Sequence, residues 1–120
     1  MSRRRVRLGR RGEELAAGAL AQRGYRIVDR NWHCGVGEVD LVARRDGVWA
    51  FFEVRTRRGR RYGTPEESVT PRKRQRMIDV ARTYLGQHDQ TDVDWRIGFV
   101  AVEMDRSGRL LRVEVYDSIT

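Results

Sequence analysis

The sequence predicts a mixed α/β domain, and three observations carry that prediction. The first is a hairpin. Apolar-alternating runs over 37–45 and 48–55 flank Asp46-Gly47, and Asp-Gly in that setting favours a type I′ turn because Gly accepts positive φ. The second is a pair of amphipathic segments, 12–23 and 71–85, with apolar residues at helical spacing. The third is a largely apolar run over 94–103, followed after Arg106-Ser107-Gly108 by an alternating run over 110–116. A short run at 25–29 completes the order α-β-β-β-α-β-β. Helices and strands interleaved in that way suggest a mixed sheet with helices packed on it.

Each element has a local reason. In the first helix Leu15, Ala16, Ala19 and Leu20 form the stripe, Gly24 is a C-cap, and Glu13 and Glu14 complement the dipole in the first turn. Tyr25 to Asp29 alternates as a short strand, and 30–37 reads as a loop with two glycines. With Asp46-Gly47 as the turn, paired hairpin positions sum to 93: Leu41 faces Phe52, Asp40 faces Glu53, Val39 faces Val54 and Glu38 faces Arg55. One face then holds Val39, Leu41, Ala43, Ala50, Phe52 and Val54, all apolar, as a buried sheet face requires. Thr70-Pro71 is an N-cap followed by Pro at the first helical position, and Met77, Ile78, Ala81, Tyr84 and Leu85 line the helix behind it.

At 120 residues the chain reads as one domain over 1–120, with 1–11 a basic, flexible N-terminal arm. Net charge is +8, with 35% charged residues, which points to a polyanionic partner, nucleic acid above all. Lys73 is the only lysine; the other 24 basic residues are arginine. One cysteine, Cys34, and two histidines exclude an internal disulfide and a Cys/His zinc cluster. No apolar run follows the basic start and none approaches a membrane span, so the expectation is a cytoplasmic protein without a membrane partner.

The chemistry lies at the ionic end of the hairpin. Directly opposed strand residues have Cβ atoms about 5 Å apart, and like charges there are destabilising. Asp40 against Glu53 therefore calls for a neutralising group, and Mg²⁺ (or Mn²⁺), held by one or two carboxylates with water and substrate phosphate, fits. The Val54 carbonyl would add an oxygen, and Arg55, two residues from Glu53 on the same face, would orient a phosphate. The same residues admit a purely structural arrangement, with Glu38 and Arg55 as a cross-strand ion pair and Asp40 protonated or solvated. Two basic clusters follow the hairpin: Arg57, Arg58, Arg60 and Arg61 around Tyr62, directly after its ionic end, and Arg72, Lys73, Arg74 and Arg76 in the first turns of the second helix. Cations at a helix N-terminus oppose the macrodipole and are easier to explain if they face an anion.

Gly12-Glu13, Arg30-Asn31-Trp32, Gly37-Glu38-Val39-Asp40, Phe52-Glu53-Val54-Arg55, Lys73 and Ala81 with Tyr84-Leu85 together resemble the YraN-like family of small bacterial predicted endonucleases, over about 9–102. The resemblance implies a restriction-endonuclease-like fold: a three-layer α/β/α core around a mixed five-stranded sheet, with the hairpin central. It implies a D…(D/E)xK site, with Asp40 and Glu53 as metal ligands, Arg55 at the lysine position and Glu13 reaching in from the first helix. Glu38 belongs to the same motif. Two departures stand out. Arg55 replaces a lysine, and a guanidinium stays protonated, so it serves only electrostatically. Arg96-Ile97-Gly98 replaces an Arg-Phe-Asp run.

The function expected is a Mg²⁺-dependent DNA endonuclease, selective for branched or damaged structures. The alternative is a nucleic-acid-binding module of the same fold, catalytically impaired by Arg55; a third is a protein-interaction subunit docking on an acidic partner. Resolvase-like chemistry would require two active sites and hence a homodimer.

Overall fold

The computed structural model describes residues 3–119, with side-chain surroundings from Arg7 onward. Helix α1 (Arg3–Gln22) leads into β1 (Arg26–Cys34), β2 (Gly37–Arg45) and β3 (Val48–Arg58). A 3-10 turn (Pro65–Ser68) and α2 (Pro71–Gln87) follow, then β4 (Trp95–Met104) and β5 (Leu110–Tyr116). The sheet order is β1-β2-β3-β4-β5, with β3 and β4 parallel and the other neighbours antiparallel. The parallel pair needs a long crossover, which α2 supplies.

The two helices cover opposite faces. Ala16, Ala17 and Leu20 of α1 pack with Leu41, Ala43, Ala50 and Phe52, while Met77, Val80, Ala81, Tyr84 and Leu85 of α2 pack with Val42, Trp49, Phe51 and Ile97. The mixed five-stranded sheet between two helical layers is the architecture the sequence predicts.

The hairpin register is as expected where the ladder holds. Leu41 pairs with Phe52, Val42 with Phe51, Ala43 with Ala50, Arg44 with Trp49 and Arg45 with Val48. Asp46 and Gly47 both take positive φ, at 53° and 77°, as a type I′ turn demands. Beyond Leu41–Phe52 the ladder ends, so Asp40–Glu53, Val39–Val54 and Glu38–Arg55 are not ladder pairs. The Asp40 carboxylate sits there instead, accepting the Val54 N–H at 2.8 Å. Past the end of the β2–β3 ladder, though still paired with Trp32 of β1, Val39 joins the α2-side core rather than the α1 face that holds Leu41 and Phe52.

Two boundaries also differ. The arm expected over 1–11 is helical from Arg3, as arginines propagate a helix well and Leu8 packs against the α1-side core; Met1 and Ser2 lie outside the described residues. The loop expected over 30–37 is mostly strand, because 30–34 pair with β2 and leave only Gly35-Val36 as the turn. Pairing with a neighbour overrides weak local preference.

Gly98 explains one departure from the family pattern. A Cβ there would lie 2.5 Å from the Phe52 ring and 2.7 Å from the Tyr116 carbonyl oxygen, so the aromatic ring fills the space. Gly98→Ala is expected to lower stability by about 1–3 kcal/mol, read as a lower urea midpoint. An unchanged midpoint would show that the ring can move aside.

Candidate active site

Where β2 leaves β3, a recess of about 440 Å³ opens between the sheet and the first turns of α2. Asp40 and Glu53 lie in it, with Glu38, Arg55, Lys73 and Arg76 around them and Val39, Phe51 and Met77 as its apolar part. Local sequence explains how each wall is placed. Thr70 caps α2 by accepting the Lys73 N–H at 3.1 Å, which sets the helix start beside the strands. Gly37 lets the β1–β2 turn approach α2: a Cβ would meet Val80 at 3.2 Å and the Arg76 stem at 3.3 Å. On the opposite layer Gly12 allows α1 to lie on β3, since a Cβ there would collide with the Thr56 hydroxyl. That close approach brings Glu13 towards the same end of the sheet.

Glu53 is the most constrained of the carboxylates. Its Oε1 takes Arg55 Nη2 at 2.8 Å and Lys73 Nζ at 3.3 Å, and its side chain is 17% exposed. Its Oε2 is buried and makes no hydrogen bond, and Arg55 Nε is equally without a partner. Asp40 is pushed up to about 6 by burial, against the opposing pull of the Val54 amide; the carboxylates of Glu53, Glu13 and Glu38 raise it further. Four acidic groups thus share one field. Burying carboxylates together is costly unless a cation joins them.

A divalent ion fits this donor set. Glu53 offers a buried, unpartnered oxygen, and Asp40 retains Oδ1 while Oδ2 holds the Val54 amide. A strand residue directs its N–H and C=O to the same neighbour, so the Val54 carbonyl shares the edge on which Asp40 lies. Among the described residues no three His, Cys, Asp or Glu groups are arranged as a ready metal cage. Two carboxylates and a carbonyl would leave the other positions to water and phosphate, the pattern that Mg²⁺ prefers.

The remaining candidates fall into place unevenly. Glu38 pairs with His33 (Nδ1 to Oε2, 3.2 Å), and Arg55 pairs with Glu53, so the alternative Glu38–Arg55 pair does not form. Glu13 accepts from Asn31 Nδ2 at 3.3 Å and acts on Asp40 through its charge. In the loop cluster, Arg60 forms a fork on Glu103 at 2.6 and 3.1 Å, and Arg58 donates to the Arg106 carbonyl. Arg61 lies over the Tyr62 ring at 5.5 Å, whereas Arg57 is half-buried, its pKa lowered by that burial and by Arg55. Arg72 and Arg74 are exposed on the surface of α2. Lys73 separates from these neighbours: read in sequence as one backbone-holding cation of four, it reaches the Glu53 carboxylate instead. Its being the only lysine was the available signal.

Among the described residues no helix is long and apolar enough to cross a membrane. A family model described as "Uncharacterised protein family UPF0102" matches residues 12–108. A UPF0102 protein of Roseiflexus castenholzii is 45% identical over 115 residues, covering 95% of this chain and 93% of the relative. One from Moorella thermoacetica is also 45% identical over 115 residues, covering 96% of each, and one from Nocardia farcinica is 48% identical over 97 residues, covering 81% and 76%. The matched span takes in Glu13, the hairpin with Asp40 and Glu53, and the start of α2 with Lys73, which is every element of the recess. The chain belongs to the UPF0102 family.

Proposed function

We propose that this protein is a Mg²⁺- or Mn²⁺-dependent endonuclease that hydrolyses DNA phosphodiester bonds. The observation that carries the reading is the recess itself, where Asp40 and Glu53 converge with a buried, unpartnered Glu53 oxygen beneath a cationic rim. The resemblance to D…(D/E)xK nucleases supports it, as does the net charge of +8. A divalent ion bound there would polarise the phosphodiester and lower the pKa of water.

The chain's own residues divide the rest. Asp40 and Glu53 would hold the ion, Val54 would add its carbonyl, and Glu13 and Glu38 would strengthen the negative field. Arg55 spends one amine on Glu53 and keeps Nε for a phosphate oxygen, a role suited to a permanently charged planar fork. Lys73 brings the compact ammonium that the motif would carry at position 55, and its contact with Glu53 Oε1 would leave Oε2 to a bound ion. Arg72, Arg74 and Arg61 steer and hold the DNA backbone. Branched or damaged DNA is the finer reading, and a homodimer would follow if both strands of a junction are cut.

Incubation of the chain with supercoiled DNA in Mg²⁺ or Mn²⁺ tests this. Nicked circles are expected, and EDTA or Glu53→Gln is expected to remove them. If wild type and Arg55→Lys both leave DNA intact while binding it at low salt, cleavage falls and the chain is a binding module.

A further inference from the structure

The recess holds more than phosphate chemistry requires, and the excess has a definite character. At about 30 Å³ per water, its 440 Å³ equals roughly fifteen waters, against the six oxygen positions around a magnesium ion. That volume falls among pockets that enclose a small organic ligand. Val39 and Met77, at 7% and 9% exposure, turn their few open atoms to the carboxylates as a small apolar wall, while Phe51 is closed off at 1%. Such a wall offers nothing to a phosphate or to a hydrated ion.

A paired duplex cannot use it either. Its bases are stacked inside, and it presents charged phosphates and sugars to a protein surface. The β1–β2 turn restricts the recess further, because Gly37 packs on Val80 and Arg76 and the turn raises Val36, 52% exposed, beside it. What combines a flat apolar face with an adjoining phosphate is a nucleotide out of the stack, read by apolar contact on its ring.

We infer that the recess receives one unpaired nucleotide, its base against Met77 and Val39 and its phosphate towards Asp40, Glu53, Arg55 and Lys73, so that the substrate class is DNA with unpaired or extruded residues. This rests on the nuclease reading of the same site.

Binding separates the two. Fluorescein-labelled duplexes are titrated in Ca²⁺ by anisotropy: fully paired, with one unpaired nucleotide, and with one unpaired abasic residue. Base contact is expected to make the unpaired-nucleotide duplex bind about tenfold tighter than the paired one, with the abasic duplex losing that gain. Equal affinity for all three duplexes, or an abasic duplex that keeps the gain, overturns the inference. Nicking of paired plasmid with no preference for unpaired DNA overturns it and leaves the nuclease reading standing, whereas base-dependent binding without any cleavage in Mg²⁺ or Mn²⁺ supports the pocket and removes the nuclease.

Discussion

Asp40→Asn is expected to abolish divalent-ion binding while making the ion-free protein more stable above neutral pH. Both effects come from one carboxylate. Asp40 is raised from an ordinary 3.8 to about 6, first by burial and then by Glu53, Glu13 and Glu38. Between those values the folded protein holds a proton that the unfolded chain has released. Stability therefore falls as pH rises through that window, and above about 6 the cost is present in full. Two pKa units correspond to about 3 kcal/mol. Asparagine carries no charge, and its Oδ1 can still accept the Val54 N–H.

Urea unfolding in EDTA should show the variant gaining up to about 3 kcal/mol over wild type at pH 8 and little at pH 4. Calorimetry with Mg²⁺ should show binding by wild type only, and the loss of cleavage should exceed the 10–100-fold typical of outer-shell partners. Equal ion binding by the two proteins would remove the metal site. A variant less stable than wild type at pH 8 would show instead that the Asp40 charge is already well compensated.

Arg112→Met is expected to give the largest loss of stability outside the core, about 3–5 kcal/mol. Glu103 is 1% exposed on β4 and is held by Arg60 and by Arg112 Nε at 3.1 Å. Arg112 also forms a two-pronged pair with Glu66 at 2.6 and 2.7 Å, and the Tyr116 hydroxyl donates to Glu66 at 2.8 Å. This network ties the 57–68 segment to β4 and β5. Removing Arg112 takes one of two cations from a buried carboxylate and both prongs from Glu66. Methionine keeps the length of the stem, so the loss reports the charge and its bonds.

The acid limb provides a second readout. Arg112, Tyr116 and the Glu66 backbone amide draw the Glu66 carboxyl down to about 2 from an ordinary 4.5, against burial. Here the unfolded chain takes up the proton first. The contribution is complete above about 4.5 and is lost as pH falls towards 2. Wild-type stability should drop across that range, and the Arg112→Met curve should be flatter. Parallel curves would place the acid sensitivity elsewhere.

Much of the frame was legible because its causes are local. Asp46-Gly47 dictates the turn, and the turn dictates the register from Leu41–Phe52 to Arg45–Val48. Thr70-Pro71 starts α2 at the expected residue, and β5 runs over the expected 110–116. Errors fell where a partner decides. Residues 30–34 became strand because β2 lies beside them, and the arm became helix from Arg3, where Leu8 finds the core. Alternation placed Val39 with Leu41, but the β2–β3 ladder stops at Leu41, two positions short of Val39.

The sequence by itself determined the α/β order, the central hairpin, and the nearness of Asp40 to Glu53, because turn chemistry and apolar period act over a few residues. Only the tertiary structure decided how those carboxylates are held. The Asp40 side chain replaces a ladder bond at Val54, Arg55 turns to Glu53 rather than Glu38, and Lys73 arrives from a helix some twenty positions later. The reason is geometric: close approaches at Gly12 and Gly37 set two helices against the strands, and burial then fixes which charges must face each other.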